Sequence, residues 1–163
     1  MAHRKRTIAD AGIFKEKIHT ALYKSDDIKE LLLGDLTGKK PAEIRELFKE
    51  HVKSHLFIDD TIEETGSFIF YDITLTELHP EIKRCQVNLY AIVHRDILED
   101  YAKEGYFGNR ADILAQMIED CLFNDEDTCL DFGIGPLDIT AVYPYNSRRF
   151  YGVQLVMEVP NFR

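Results

Sequence analysis

The residues of this chain that could do chemistry are three cysteines, a few histidines and several groups of acids. Cys85, Cys121 and Cys129 are odd in number and lack a CxxC spacing. Disulfide frameworks and zinc sites want pairs at short intervals, so these read as small buried thiols of a reducing, intracellular compartment. A thiolate nucleophile needs a base beside it, and the sequence places none. Asp59, Asp60, Glu63 and Glu64 gather before Gly66, without the Asp-x-Asp-x-Asp-Gly order of a calcium loop. They are expected in an acidic loop, or on an edge facing a basic partner. Asp72, Glu77 and Asp138 are the acids on which a small metal-dependent nuclease would have to be built, yet they stand in no recognisable frame. His79 falls in a turn and His94 at a strand end, where a histidine is ordinarily a surface side chain.

Phosphate chemistry lacks its motifs as well. There is no GxxxxGK[ST] loop and no GxGxxG opening a helix. Phe132-Gly133-Ile134-Gly135 comes closest, but Pro136 and a strand follow, so no helix N-terminus is there to meet a phosphate. Neither GxSxG nor HExxH occurs. The expectation is a protein that is not an enzyme and carries no cofactor and no metal.

The elements that would position these residues are legible in the spacing. Phe14, Ile18 and Leu22, with Ala21, form one helical stripe. Ser25 reads as an N-cap, Asp26 and Asp27 as a first turn, and Ile28, Leu31, Leu32 and Leu33 as a second short helix ended by Gly34. Pro41 opens a third, with Ile44, Leu47, Phe48 and Val52 inward and Glu43, Arg45, Glu46, Lys49 and Glu50 outward as a solvated face. Phe68, Phe70 and Asp72 alternate with Ile69, Tyr71, Ile73 and Leu75, a strand apolar on both sides and so expected to be covered twice. After the His79-Pro80 turn, Val87, Leu89, Ala91 and Val93 oppose Gln86, Asn88, Tyr90, Ile92 and His94. Residues 95–109 are a connector, with a helical turn expected at Asp96–Tyr101. Asn109 caps a helix bearing Ile113, Leu114, Met117, Ile118 and Leu122, and 124–128 is an acidic loop. A hairpin closes the chain. In its first strand Leu137, Ile139, Ala141 and Tyr143 should share one face against Asp138, Thr140 and Val142. In its second, Tyr151, Val153, Leu155, Met157 and Val159 oppose Gly152, Gln154, Val156 and Glu158.

Two strands cannot stand alone in water, so the hairpin needs the earlier ones. Helices and strands are segregated, which predicts an α+β fold: a mainly antiparallel four-stranded sheet with helices packed on one face. One domain is expected over 1–163, with a basic flexible arm at 1–7, a helical region at 8–55, and a sheet with a crossing helix at 66–162. The 163 residues suffice for a sizeable core, and 45% hydrophobic with 30% charged residues is globular composition. No apolar run is long enough for a membrane helix, and the basic start is not followed by the apolar segment of a secretory signal. The net charge of −9 argues against general affinity for nucleic-acid backbone.

The succession resembles the tail-terminator and tail-completion proteins of long-tailed bacteriophages, and related proteins of the head–tail neck. Three pieces carry the likeness: the broken opening helix Ile18–Leu32 with its Ser25-Asp26-Asp27-Ile28 passage; the strand Gln86–His94 leading to a helix that opens on Asn109-Arg110-Ala111-Asp112-Ile113-Leu114; and Phe132–Leu137 through Tyr143-Pro144-Tyr145 to Tyr151-Gly152-Val153-Gln154-Leu155. It spans about 10–162, and the helix within 38–55 departs from it. The resemblance implies a structural virion protein, made in the host cytoplasm. It would form a homo-oligomeric, hexameric ring on the last ring of the tail tube protein, end tube growth, and present a surface to the head–tail connector or stopper protein. DNA would pass its lumen without specific binding. A stopper or adaptor of the neck is the alternative.

Within that picture Tyr143, Tyr145, Arg148, Arg149 and Tyr151 are the interface candidates, because Tyr and Arg are enriched in interface cores. Asp59, Asp60, Glu63, Glu64, Asp125, Glu126 and Asp127 are candidates for an acidic lumen or for axial contacts.

Overall fold

The computed structural model describes residues 7–56, 64–78, 83–124 and 138–160. Among them the order is α1 (Thr7–Lys24), α2 (Asp26–Leu33), α3 (Pro41–His51), β1 (Val52–Lys53), β2 (Ser67–Leu78), β3 (Lys83–His94), a 3-10 turn (Arg95–Ile97), α4 (Arg110–Glu119) running into a π turn (Asp120–Asn124), β4 (Asp138–Asn146) and β5 (Phe150–Pro160).

The helix boundaries follow local chemistry. Ser25, in extended backbone, takes the Ile28 amide on its hydroxyl at 3.2 Å and separates α1 from α2. Gly34 ends α2 with φ 75°, a conformation that L side chains adopt rarely. Pro41 begins α3. At α4 the capping box is complete: Asn109 Oδ1 accepts from the Asp112 amide at 3.0 Å, and Asp112 Oδ2 accepts from the Asn109 amide at 3.1 Å.

The sheet is five-stranded and mixed, in the order β1-β2-β3-β5-β4, which corrects the expected four-stranded antiparallel sheet. The addition is β1. Val52, read as the last apolar position of α3, leaves the helix with φ −127° and pairs in parallel with Ile69, and Lys53 pairs with Phe70. Val52 is buried there, which its branched side chain favours in extended backbone. The four long strands pair antiparallel with one another.

A second correction concerns β4. Ile139 opposes Met157 but Ala141 opposes Val156, so Thr140 is a bulge. One inserted residue swaps the faces beyond it. Ile139 therefore shares its face with Val142 and Pro144, while Ala141, Tyr143 and Tyr145 lie on the other. The helical turn expected at Asp96–Tyr101 starts one residue earlier and is 3-10.

All four helices pack on one face of the sheet. Phe14, Ile18 and Leu22 of α1, Ile28 and Leu31 of α2, Phe48 of α3 and Ile113, Leu114, Met117 and Ile118 of α4 meet Ile69, Tyr71, Val87, Leu89, Ala91, Leu155 and Met157 in one core. The opposite face carries no described helix. At one end it gathers Phe68, Phe70, Ile92 and Phe150, all buried, with Tyr90 and Tyr145 against them. His51 stacks on Phe68 at 5.0 Å and His94 meets Phe150 edge-on at 5.5 Å. Phe68 and Phe70 are thus covered, as the two-sided apolar pattern of β2 predicts. Toward the other end this face turns polar, with Asp72 opposite Asn88 and Asp138 opposite Glu158.

Candidate interface surface

The β4–β5 hairpin closes on two residues. The Ser147 amide donates to the Phe150 carbonyl at 2.9 Å, and the Phe150 amide donates to Ser147 Oγ at 3.1 Å, leaving Arg148 and Arg149 as the turn. Because the Ser147 hydroxyl takes that amide, the Ser147 carbonyl is open to Arg95. Arg95 Nη2 reaches it at 2.9 Å and Nε at 3.1 Å, and Nη2 also donates to Asn146 Oδ1 at 3.1 Å. The Arg95 amide donates to the Arg149 carbonyl at 2.8 Å. One arginine from the end of β3 therefore fixes the tip. No local pattern marks Arg95 for this role, since its partners lie about fifty residues ahead.

The five interface candidates do not form one surface. Tyr143 is 54% exposed, and Arg148 is exposed at the tip. Tyr145 shares the face of Tyr143 but is half-buried, edge-on to Tyr90 with ring centroids 5.7 Å apart. Arg149 is half-buried in the turn. Tyr151 is half-buried and opposes Val93, on the helix side of the sheet. The residue that joins Tyr143 is Val142, 58% exposed on the other face of the same edge strand.

Among the described strands β4 is outermost beside β5, and Pro144 sits two residues before its end. The 147/150 pair is hydrogen-bonded, so alternation makes 144/153 a non-bonded pair, whose backbone groups on β4 point away from β5. The missing proline amide costs the hairpin nothing and takes one donor from the open edge, a common way of blunting such edges.

Of the acidic candidates, Glu64 is exposed; Asp59, Asp60, Glu63, Asp125, Glu126 and Asp127 lie outside the described residues. So do His79 and Cys129. The acids of the nuclease reading are not brought together. Asp72 lies on β2 and is paired with Lys15 at 3.1 Å. Asp138 lies on β4, with β3 and β5 between them, a separation of about 14 Å at the usual strand spacing. Glu77 is placed opposite Arg84 on β2, beyond a bulge. Among the described residues no three or more His, Cys, Asp or Glu stand together as metal ligands would.

Cys85 is fully buried and burial pushes its thiol up to about 11, while Cys121 Sγ, half-buried, donates to the Ala21 carbonyl at 2.9 Å. His94 accepts from the Asp96 amide at 3.2 Å, capping the 3-10 turn.

A polar cluster that the spacing did not announce ties the connector to α2. Lys103 Nζ donates to Asp27 at 2.7 Å and to Glu30 at 3.0 Å, and these bonds hold the ammonium above the usual lysine range. Tyr106 Oη stands 3.3 Å from both Asp27 and Asp120; burial, with those two carboxylates, pushes its hydroxyl up to about 12. Arg110 binds Ser67 Oγ at 2.8 Å and the Leu31 carbonyl at 2.7 Å and lies over the Tyr101 ring. These bonds fix α2, β2 and α4 to one another.

Among the described residues no helix is long and apolar enough to cross a membrane. No curated protein matches the chain. The YomW family model matches residues 16–159, from within α1 to the end of β5 but for its last residue. The chain belongs to the YomW family, and that match points to a phage-associated protein.

Proposed function

We propose that this protein is a structural component of a phage tail that forms a ring at the head-proximal end of the tail tube. The ring, of six copies, ends tube growth and joins the tail to the head connector or stopper. The observation that carries the reading is the outer strand β4, which offers Val142 and Tyr143 to solvent on an edge whose tip Arg95 holds rigid. A fixed tip loses little freedom on docking, and Tyr143 on the strand and Arg148 at the tip are of residue types enriched in interface cores. Pro144 blunts backbone pairing along this edge, so the contacts it makes are through side chains more than through an added strand. With a net charge of −9 per copy, a ring repels the phosphate backbone and lets DNA pass its lumen without specific binding. Glu64 and the acids at 59–63 and 125–127 supply that field or axial contacts.

Removing the gene from its phage tests this. The expected result is tails of uncontrolled, excess length without attached heads. Tails of normal length that fail to join heads would move the protein to the stopper position. Normal virions would refute the proposal.

A further inference from the structure

One aromatic side chain is presented to solvent by a loop built to hold it still. Phe107 is 77% exposed. Its amide donates to Gln116 Oε1 at 3.1 Å, and Gln116 Nε2 donates back to the Phe107 carbonyl at 2.5 Å, so one side-chain amide of α4 clamps its backbone from both sides. Gly105 and Gly108 flank it at φ 89° and 98°, and the capping box follows directly. Exposing a benzyl group is unfavourable in water, and ordering its loop adds entropy cost. Both make sense for a preorganised anchor. The exposed charged residues of the neighbouring segments are acids: Glu104 three residues before it, Glu99 and Asp100 next to the Leu98–Arg110 backbone bond, and Glu119 and Asp120 after Gln116, while Lys103 is taken up by Asp27 and Glu30.

A cleft of the opposite character lies between α1 and α3. A space of about 230 Å³ is walled by His19, Tyr23, Arg45 and Lys49. It adjoins one of about 550 Å³ that brings in Lys15 and Lys53. A cavity of about 150 Å³ accepts a benzene ring, so the smaller space suffices for a phenylalanine side chain. Its walls are aromatic, since His19 and Tyr23 both pack edge-on to buried Phe48, at 5.3 and 5.1 Å. Arg45 and Lys49 stand one turn apart on α3 and Lys53 follows on β1, a basic stripe beside which Glu16 is the one acid among the described residues lining the cleft.

The two features lie on two sides of α1: Tyr106, next to Phe107, shares a space with Ala21, Lys24 and Ser25, while the cleft takes His19, Thr20 and Tyr23. The cleft borders β1 and Tyr71 of β2, while α4, which holds Phe107, crosses β3 and β5. An anchor and a socket on different surfaces make a heterologous contact, the kind that repeats from copy to copy and closes into a ring when the rotation allows.

We infer that Phe107 of one copy docks in the His19–Tyr23–Arg45–Lys49 cleft of the next, with the acids around the anchor facing the basic stripe. The inference deepens the ring reading and rests on it for closure.

The test uses the full chain in sedimentation velocity, alone and with tail tube protein. Phe107→Asp removes the anchor, and Arg45→Glu with Lys49→Glu inverts the cleft. All three positions are exposed, so folding is expected to persist, as circular dichroism will check; Phe107→Ala, which introduces no charge, is the second anchor variant. Each variant alone is expected to self-associate at least about thirtyfold more weakly, the loss typical of a hot spot. An equimolar mixture of anchor and cleft variants retains one intact contact, and is expected to form 1:1 dimers that grow no further. If either variant forms rings at wild-type strength, or the mixture stays monomeric while the wild type forms rings, this contact is refuted and the ring reading stands. A wild-type chain that stays monomeric even with tube protein refutes both.

Discussion

The two faces of the sheet are built to different rules. The helix side is a continuous, mostly aliphatic layer, in which Val87, Leu89, Ala91, Leu155 and Met157 meet four helices, with Phe14, Phe48 and Tyr71 among them. The other side is graded, from the buried aromatics around Phe68 and Phe150 to polar pairs such as Asp72 and Asn88. Uniform burial gives stability and nothing to recognise. A graded face with an exposed edge beside it gives up some of that burial and gains distinguishable chemistry. Burial is thus unequal on the two sides of the same strands, so neighbouring residues on one strand should lose different amounts of stability when truncated.

Truncation tests this most sharply on β3. Leu89 is fully buried on the helix side, and Leu89→Ala is expected to cost about 3 kcal/mol in urea denaturation, from lost burial and the cavity left behind. Asn88, its neighbour on the other side, is only half-buried and makes a long 3.4 Å bond with Gln154, so Asn88→Ala should cost under about 1 kcal/mol. Equal losses would break the distinction.

Gly152 tests the aromatic end. A Cβ there would stand 2.7 Å from Ile92 Cγ2 and closer still to the Ala91 carbonyl oxygen, which is backbone and cannot swing away. Gly152→Ala is expected to lower stability by about 2 kcal/mol through overpacking, read in the same denaturation assay. An unchanged midpoint would mean that β5 slides freely under this face.

Alkali probes the dry side through Cys85. Its ordinary thiol value is 9.0 and the folded value about 11, so below pH 9 both folded and unfolded chains keep the proton and the contribution is intact. Between 9 and 11 the unfolded chain releases a proton that the folded chain holds, and stability falls with rising pH, by at most about 1.4 kcal/mol per unit. Cys85→Ala should flatten that slope in pH-dependent denaturation while lowering stability throughout.

The smallest effect on stability is expected at the edge. Tyr143→Ser and Arg148→Ala should each shift unfolding by less than about 0.5 kcal/mol, because both side chains are exposed, while weakening assembly on tail tubes. A large stability loss would return these residues to the fold and take them from the interface.

The legible parts of this molecule are those whose cause lies within four residues. Ser25, Gly34, Pro41 and Asn109 mark helix ends because a cap acts on the next turn, and the alternation of β3 exposes its two faces directly. β1 was not legible. Two extended residues become a strand only through Ile69 and Phe70, far along the chain. The bulge at Thr140 is likewise set by the register of β5, so the face of Tyr143 could not be read from β4 alone. Spacing alone shows Arg45 and Lys49 only as part of the mixed outward face of α3, and Lys53 joins them through β1. Their meeting with His19 and Lys15 is tertiary, and so is the clamp that Gln116 places on Phe107.

The central claim is one of location. Immunogold labelling of this chain on purified virions, viewed by electron microscopy, tests it directly. The account predicts a single cluster of gold at the junction of head and tail on each particle. Virions that carry no label there, with the protein confined to the lysate or labelled along the tail shaft, would contradict it.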